Sequence, residues 1–376
     1  MKAVVTGAKG FIGANLVVAL RRARIEVVEI DVDGQGALAA AVSGADVVYH
    51  LAGVNRPAHE AEFVAGNVGS LESLFAAIDK RPPKGEQEVR PLIVLSSSTQ
   101  ANLDNPYGRS KLAAERALEA YAGRTGTAAV IYRLPGVFGK WCRPDYNSVV
   151  ATFCHNIARD LPIAISDPSR IIELVYVDDV VAQFLRHLEG GAAPGVVRAG
   201  VSPTFTISLA ELAEQLRGFR CIREKLEVPD VGDPFTRRLL ATYSSYLPLG
   251  ELSYPLQQRS DARGTLAELL KSPRFGQIFV SRTHPGVTRG NHYHDLKVEK
   301  FCVLEGDAVI RFRQVRGEEV IEHRVSGKDF KVVDIPPGVT HSIENVGGGE
   351  MIVLFWASEI LDPDHPDTHS SEVLRA

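Results

Sequence analysis

Tyr107 and Lys111 stand four residues apart in the run YGRSK, and on a helix positions i and i+4 share one face. A lysine ammonium beside a phenol stabilises phenolate, so the pair is expected to draw the tyrosine pKa down toward working pH. Tyr107 could then pass a proton to a carbonyl oxygen as hydride reaches the carbon. Upstream, Ser96-Ser97-Ser98-Thr99 ends a strand-like run. Side chains at such a strand end face the ligand crevice of an open α/β sheet. A hydroxyl there can bond the same oxygen. Taken alone, a Tyr/Lys pair at this spacing is common on surface helices.

A second element binds rather than reacts. Thr6-Gly7-Ala8-Lys9-Gly10-Phe11-Ile12-Gly13 follows a short apolar run and opens a helical pattern. Glycines permit a tight turn and close backbone approach to a pyrophosphate, which the free N–H groups and the helix dipole then hold. Asp31 ends the next strand-like run, EVVEI. A carboxylate there accepts from a ribose 2′-OH and repels a 2′-phosphate, which favours NAD(H). Lys9, inside the turn, could instead pair with that phosphate and favour NADP(H).

A third constellation lies far downstream. Seven of the eleven histidines follow residue 280. His292 and His294 are expected to alternate on a strand and so point to one face. Glu299 follows, and His341 sits in PPGVTHSIEN. Three imidazoles and a carboxylate suit a divalent metal such as zinc, nickel, manganese or iron.

The elements that must carry these groups change character along the chain. Strand-like runs at 2–6, 26–30, 46–51, 91–96 and 127–133 alternate with helical patterns at 11–23, 67–80, 107–122 and 148–159. That order argues for parallel βαβ units. Further helices are expected at 178–189, 206–217 and 233–243. Beyond residue 260 the pattern becomes short β-rich runs at 276–283, 298–305, 307–315, 319–325, 329–335 and 350–357, separated by Gly and Pro. This suggests an all-β barrel or jelly roll. The expected domains are therefore 1–245, with a substrate lobe at about 160–245, then a linker at 246–260 and an all-β domain at 261–376.

With 376 residues, 45% of them apolar, the chain can form sizeable cores. A net charge of −4 gives no general attraction to nucleic acid. No apolar run is long enough to span a membrane. Four scattered cysteines make a disulfide framework improbable, and a reducing cytoplasm fits.

TGAKGFIG, HLAG at 50–53, Asn67, SSS at 96–98, YGRSK, YRLPGVFG at 132–139 and YVDDV at 176–180 occur in the order found in the extended short-chain dehydrogenase/reductase family. The first two thirds of the chain resemble that family, whose members act largely on nucleotide sugars. The resemblance implies a Rossmann fold with Ser98, Tyr107 and Lys111 as catalytic residues. Ser97 or Thr99 supplies the hydroxyl if the register is off by one. Gly7, Lys9, Gly10, Phe11, Ile12, Gly13, Asp31, Leu51, Ala52, Gly53, Asn67 and Lys111 would contact the nucleotide.

Gly286-x5-His292-x-His294-x4-Glu299-x6-Gly306 and Pro336-x-Gly338-x2-His341-x3-Asn345 resemble the two motifs of the cupins. That likeness implies an α/β domain followed by a cupin jelly roll holding metal on His292, His294, Glu299 and His341. Asp261-Ala262-Arg263-Gly264 with Arg289-Gly290-Asn291-His292 is also similar to sugar 3,5-epimerases acting on nucleotide 4-keto sugars. Their catalytic histidine would align with His292, which cannot both ligate metal and take a proton. Candidate bases are then His341, Lys297, Lys300 and Tyr293.

Through the further stretches HLAGVNRPAHEAEF, GKWCRPDYNSVVATFC, SYLPLGELSYPL and VVDIPPGVTHSIEN, the whole chain resembles bacterial capsule-synthesis reductases that make the precursor of UDP-N-acetyl-L-fucosamine. The resemblance implies a UDP-2-acetamido-2,6-dideoxy-hexos-4-ulose substrate. The cupin would invert C3, and the first domain would reduce the C4 ketone. It also implies NADP(H) and Zn2+, although Asp31 departs from the basic or neutral residue that NADP(H) calls for. A homodimer is expected. Two other readings stay open: a reductase whose cupin is a structural or dimerisation module, and a non-catalytic NAD(P)-sensing regulator.

Overall fold

The computed structural model describes the backbone except at residues 32–36, 81–89, 191–192, 262–263, 268–269, 271–275, 360–361, 363 and 376; at 258–261, 264–267 and 277 it describes the backbone only. The chain folds as two compact units. One comprises 1–148 and 171–207, the other 149–170 and 208–376.

The first unit is built on a six-stranded parallel sheet. Lys2–Thr6 lies between Glu26–Ile30 and Val47–His50, followed outward by Leu92–Ser98, Ala128–Leu134 and Gly195–Ala199. The central strands are apolar along their length because both faces are covered. Ala3, Val5, Val47, Tyr49, Val94 and Val130 pack with helices Phe11–Arg22 and Val177–Leu185 on one side. Their neighbours Val4, Val48, Ile93, Leu95, Ala129 and Ile131 pack with Leu38–Val42, Ser70–Asp79 and Pro106–Thr125 on the other. This period of two makes a three-layer sandwich. The strand order reverses beside Lys2–Thr6, and such a switch point opens a crevice at the carboxyl ends of the strands. Thr6, His50 and Ser98 stand at those ends.

Helix Pro106–Thr125 begins where its sequence dictates. Asn105 caps it by accepting from the Gly108 amide at 2.8 Å, and Pro106 occupies the first turn. Gly126 ends it in the left-handed conformation at φ 69°. Its apolar spacing buries Ala114, Leu118 and Tyr121 against the sheet, which fixes the direction in which Lys111 and Glu115 point.

In the second unit, two five-stranded antiparallel sheets form the all-β cupin architecture. One runs Ser253–Pro255, Lys331–Ile335, Glu299–Glu305, Met351–Ala357 and Gln277–Thr283; the other runs Val320–Ser326, Asp307–Gln314, Val339–Asn345, Thr288–Tyr293 and His369–Ser370. Phe301, Val303, Ile310, Phe312, Val333, Ile343 and Phe355 fill its interior. Within 246–260, Leu252 is fully buried in that core and Ser253–Pro255 pairs with the barrel. Helices Val149–Ile157, Leu209–Arg220 and Pro234–Ser244 belong to the same unit, and Arg220 grips Asp160 with two hydrogen bonds of 2.8 and 2.9 Å.

Candidate active site and candidate metal centre

The glycine turn is shaped by close approach. Gly7 has φ +69° and donates to the Ile30 carbonyl at 2.8 Å; a Cβ on it would lie 2.7 Å from the Ala52 amide nitrogen. At Gly13 a Cβ would stand 2.1 Å from the Gly7 carbonyl oxygen, a distance no side chain tolerates. Helix Phe11–Arg22 therefore starts directly against the turn, with Gly10 as its cap and no side chain bonded to its first amides. This leaves an N-terminus shaped for phosphate. The Asp31 carboxylate accepts from the Lys9 amide at 3.1 Å, which holds it at the rim of the turn. The Lys9 side chain is exposed.

Leu51, Ala52 and Gly53 cross the strand ends. The Leu51 and Ala52 amides are held by the Thr6 carbonyl at 3.1 Å and the Thr6 hydroxyl at 3.3 Å. His50 is bonded through Nδ1 to Thr6 Oγ1 at 2.9 Å; burial, helped by the Lys111 charge, lowers its pKa to about 3 and keeps it neutral. Asn67 lies in a π-helical turn, Ala65–Gly69, where a continuous α-helix from 67 was expected. Widened turns of this kind recur at functional sites. Asn67 bonds Val54 twice at 3.0 Å and Ser110 Oγ at 2.9 Å. A Cβ at Gly53 would lie 2.6 Å from Asn67 Oδ1 and 3.4 Å from Lys111 Nζ, so the three converge.

Of the three candidate hydroxyls, Ser98 bonds Tyr107, whereas Ser97 turns to the other face and donates to Glu115 at 2.5 Å. Thr99 opens a 3-10 turn capped by Ser98, which accepts from the Gln100 amide at 3.2 Å. Lys111 is buried; its Nζ donates to the Ser96 carbonyl at 3.1 Å and lies 5.9 Å from the centre of the Tyr107 ring. The expected drop in the tyrosine pKa does not follow. Burial raises it, and the Ser98 hydrogen bond offsets only part of the rise. Burial also lowers Lys111 to about 8 against the pull of Glu115. At neutral pH, Tyr107 is therefore a protonated phenol beside a cation held over the strand ends.

Glu115 belongs to none of the motifs in the sequence. It is fully buried, accepts Ser97 and takes Arg133 in a fork at 2.6 to 3.1 Å. Its position four residues after Lys111, on one helix face, was the available signal.

In the all-β unit, the ligand atoms of His292, His294, Glu299 and His341 all lie within 4.8 Å of one another. Glu299 Oε2 is 3.1 Å from His294 Nε2 and 3.5 Å from His341 Nε2. The His341 Nε2 is buried with no hydrogen-bond partner. Burial, then the neighbouring imidazoles, lowers His292 to about 3; burial also depresses His341. Glu299 falls below the usual carboxylate range because its interactions with the nearby His294 and His341 rings outweigh burial. Three clustered imidazoles, a carboxylate held in its charged form and an orphaned nitrogen are the donor set a divalent cation requires, so these residues fit one.

His294 does not share a strand with His292. The strand ends at Tyr293 after a bulge between Gly290 and His292, where Asn291 takes φ 56°. The bulge re-aims the chain, and the two rings still meet at 5.1 Å. The other basic candidates lie elsewhere. Lys300 alternates to the opposite face from Glu299 and is bonded to Asp334 at 2.5 Å and Tyr254 at 2.8 Å, which hold its pKa up against burial. Lys297 donates to Thr368 at 3.0 Å, and Tyr293 packs on His369. Ala262 and Arg263 lie outside the described residues.

Residues 3–200 match the NAD dependent epimerase/dehydratase family, and residues 259–369 match the polysaccharide biosynthesis C-terminal domain. The chain belongs to the NAD-dependent epimerase/dehydratase family. It is 44% identical to UDP-2-acetamido-2,6-beta-L-arabino-hexul-4-ose reductase of Pseudomonas aeruginosa over 99% of both proteins. Similarity extends to the crystal structure of the capsular polysaccharide assembling protein CapF from Staphylococcus aureus, at 42% identity and TM-score 0.65, covering 99% of this chain and 100% of that one. The spore coat polysaccharide biosynthesis protein SpsL of Bacillus subtilis is 27% identical over 30% of this chain and 81% of that protein. In this family member, the Rossmann crevice and the histidine cluster each lie within a single compact unit. No helix among the described residues is long and apolar enough to cross a membrane.

Proposed function

We propose that this chain is a nucleotide-sugar 4-ketoreductase with a second, epimerising site, acting in bacterial capsule or related polysaccharide synthesis. The substrate is a UDP-2-acetamido-2,6-dideoxy-4-keto-hexose, and the product lies on the route to UDP-N-acetyl-L-fucosamine. The observation that carries the reading is the convergence of Ser98, Tyr107 and Lys111 at the mouth of a dinucleotide turn, in a chain 44% identical over its length to a reductase of such a sugar.

The residues divide the work. The turn from Gly7 to Gly13 holds a pyrophosphate, and Asp31 accepts from a ribose hydroxyl. A bound nicotinamide would supply the hydride. Ser98 orients the C4 ketone oxygen, and Tyr107 gives that oxygen its proton. The Lys111 ammonium stabilises the tyrosinate left behind.

His292, His294, Glu299 and His341 would hold a divalent cation, with zinc the expected ion. Such a cation would supply Lewis acidity next to a ketone whose C3 hydrogen is already acidified. Tethering the two sites lets reduction trap one epimer of an equilibrating ketone. We assign the protein to the cytoplasm and expect a homodimer.

A second reading has one observation in its favour: the relative's name specifies a reductase alone. There the all-β unit would be structural. Incubation of the full chain with the UDP-4-keto sugar and NADH or NADPH in D2O separates the two. Two-site catalysis requires deuterium at C3 of the reduced product. Reduction without deuterium there leaves a reductase only, and no reduction removes the oxidoreductase reading.

A further inference from the structure

We propose that Asp367 is a positioning residue that locks the metal-ligand set from a distant part of the chain, an inference that rests on the metal reading above. Asp367 lies 73 residues beyond His294, outside both motifs that point to the cluster. Its side chain is 16% exposed, and the carboxylate accepts three consecutive backbone amides: Asp295 at 2.8 Å, Leu296 at 2.8 Å and Lys297 at 2.6 Å. Those amides form the turn that separates His294 from Glu299, so one carboxylate fixes the path between two ligands.

The same residue also sets a ring. His294 Nδ1 donates to the Asp367 carbonyl at 2.5 Å. A carbonyl can only accept, so the proton must sit on Nδ1. His294 Nε2 then faces Glu299 Oε2 at 3.1 Å and the other ligands, the position from which it would hold a cation. A ligand imidazole held through its second nitrogen is both oriented and made more basic.

Asp367 is itself anchored. His369–Ser370 pairs with His292–Tyr293 in the sheet, and the Ser371 amide donates to the Asn291 carbonyl at 2.8 Å. Arg313, 2% exposed, donates to the carbonyls of Glu372 at 2.6 Å and Val373 at 3.0 Å. Lys297 reaches Thr368 at 3.0 Å. The segment 367–373 therefore crosses the ligand strand as a braced unit, and Asp367 is the residue through which it holds His294 and the turn that follows.

The test uses the full chain stripped of metal and titrated with Zn2+ against a chromophoric chelator. Asp367→Ala is expected to weaken Zn2+ binding about 10- to 100-fold. Asp367→Asn, which keeps one acceptor oxygen, should recover part of that loss. It also serves if the alanine variant does not fold. Near-ultraviolet circular dichroism of each metal-free variant against the parent chain is the control for folding. A variant that melts earlier without metal yet binds Zn2+ as tightly as the parent chain overturns the inference, since Asp367 would then be structural only. Undiminished Zn2+ affinity in both variants overturns it too. If the parent chain itself takes up no Zn2+, the metal reading fails first.

Discussion

Ser97 and Glu115 share a hydrogen bond of 2.5 Å across the buried face of the sheet, while the adjacent Ser98 faces the opposite way and meets Tyr107. Two neighbouring hydroxyls on one strand thus have separate tasks: one ties the strand to the helix that carries Lys111, the other enters the crevice.

Removing the phenol oxygen should stop proton delivery and little else. Tyr107→Phe is expected to lower kcat for carbonyl reduction by about 100- to 10,000-fold. Nucleotide affinity, measured by fluorescence titration, should stay within about twofold. A near-parental rate in this variant would place the acid elsewhere.

Lys111 titrates near 8 rather than 10.5, because burial disfavours its charge. Its ammonium is present below that pH and is lost as pH rises through it. The kcat/KM profile should therefore fall on the alkaline side with an apparent pKa near 8. Glu115 pulls Lys111 upward, so Glu115→Gln should move this limb to lower pH. A limb unmoved by that change would make Glu115 a packing residue alone.

The turn leaves no room at Gly13. Gly13→Ala places a methyl 2.1 Å from the Gly7 carbonyl, which must push the helix start away from the strand. We expect NAD(H) affinity to fall at least tenfold and stability to drop by about 1–3 kcal/mol, the usual penalty for overpacking. Calorimetry of nucleotide binding and thermal unfolding check the two effects.

Asp31 accepts from the Lys9 amide, and on the proposed reading its carboxylate opposes a 2′-phosphate. Asp31→Asn should raise kcat/KM with NADPH relative to NADH by about tenfold, one charge contact's worth of binding. Steady-state kinetics with both cofactors give the ratio. An unchanged ratio would show that the carboxylate braces the turn without reading the ribose.

In the all-β unit, His292→Ala combined with His294→Ala should abolish bound metal, measured by atomic emission on the purified chain. It should also lower thermal stability. Metal content equal to that of the parent would place the ion at other residues.

Much of this architecture is legible in one dimension, for a physical reason. Central parallel strands covered on both faces must be largely apolar, so the runs at 2–6 and 127–133 coincide with strands to within a residue. Turns that approach a phosphate need glycine, and a ligand histidine has few substitutes, so these positions carry their chemistry in their identity. What local order cannot express is direction and distance. Choosing among Ser97, Ser98 and Thr99 required the strand's register against the helix. The pKa of Tyr107 depended on burial, which no i, i+4 spacing encodes. The bulge at Asn291 and the reach of Asp367 back to His294 arise from contacts between residues far apart in the chain, and only the folded packing brings those together.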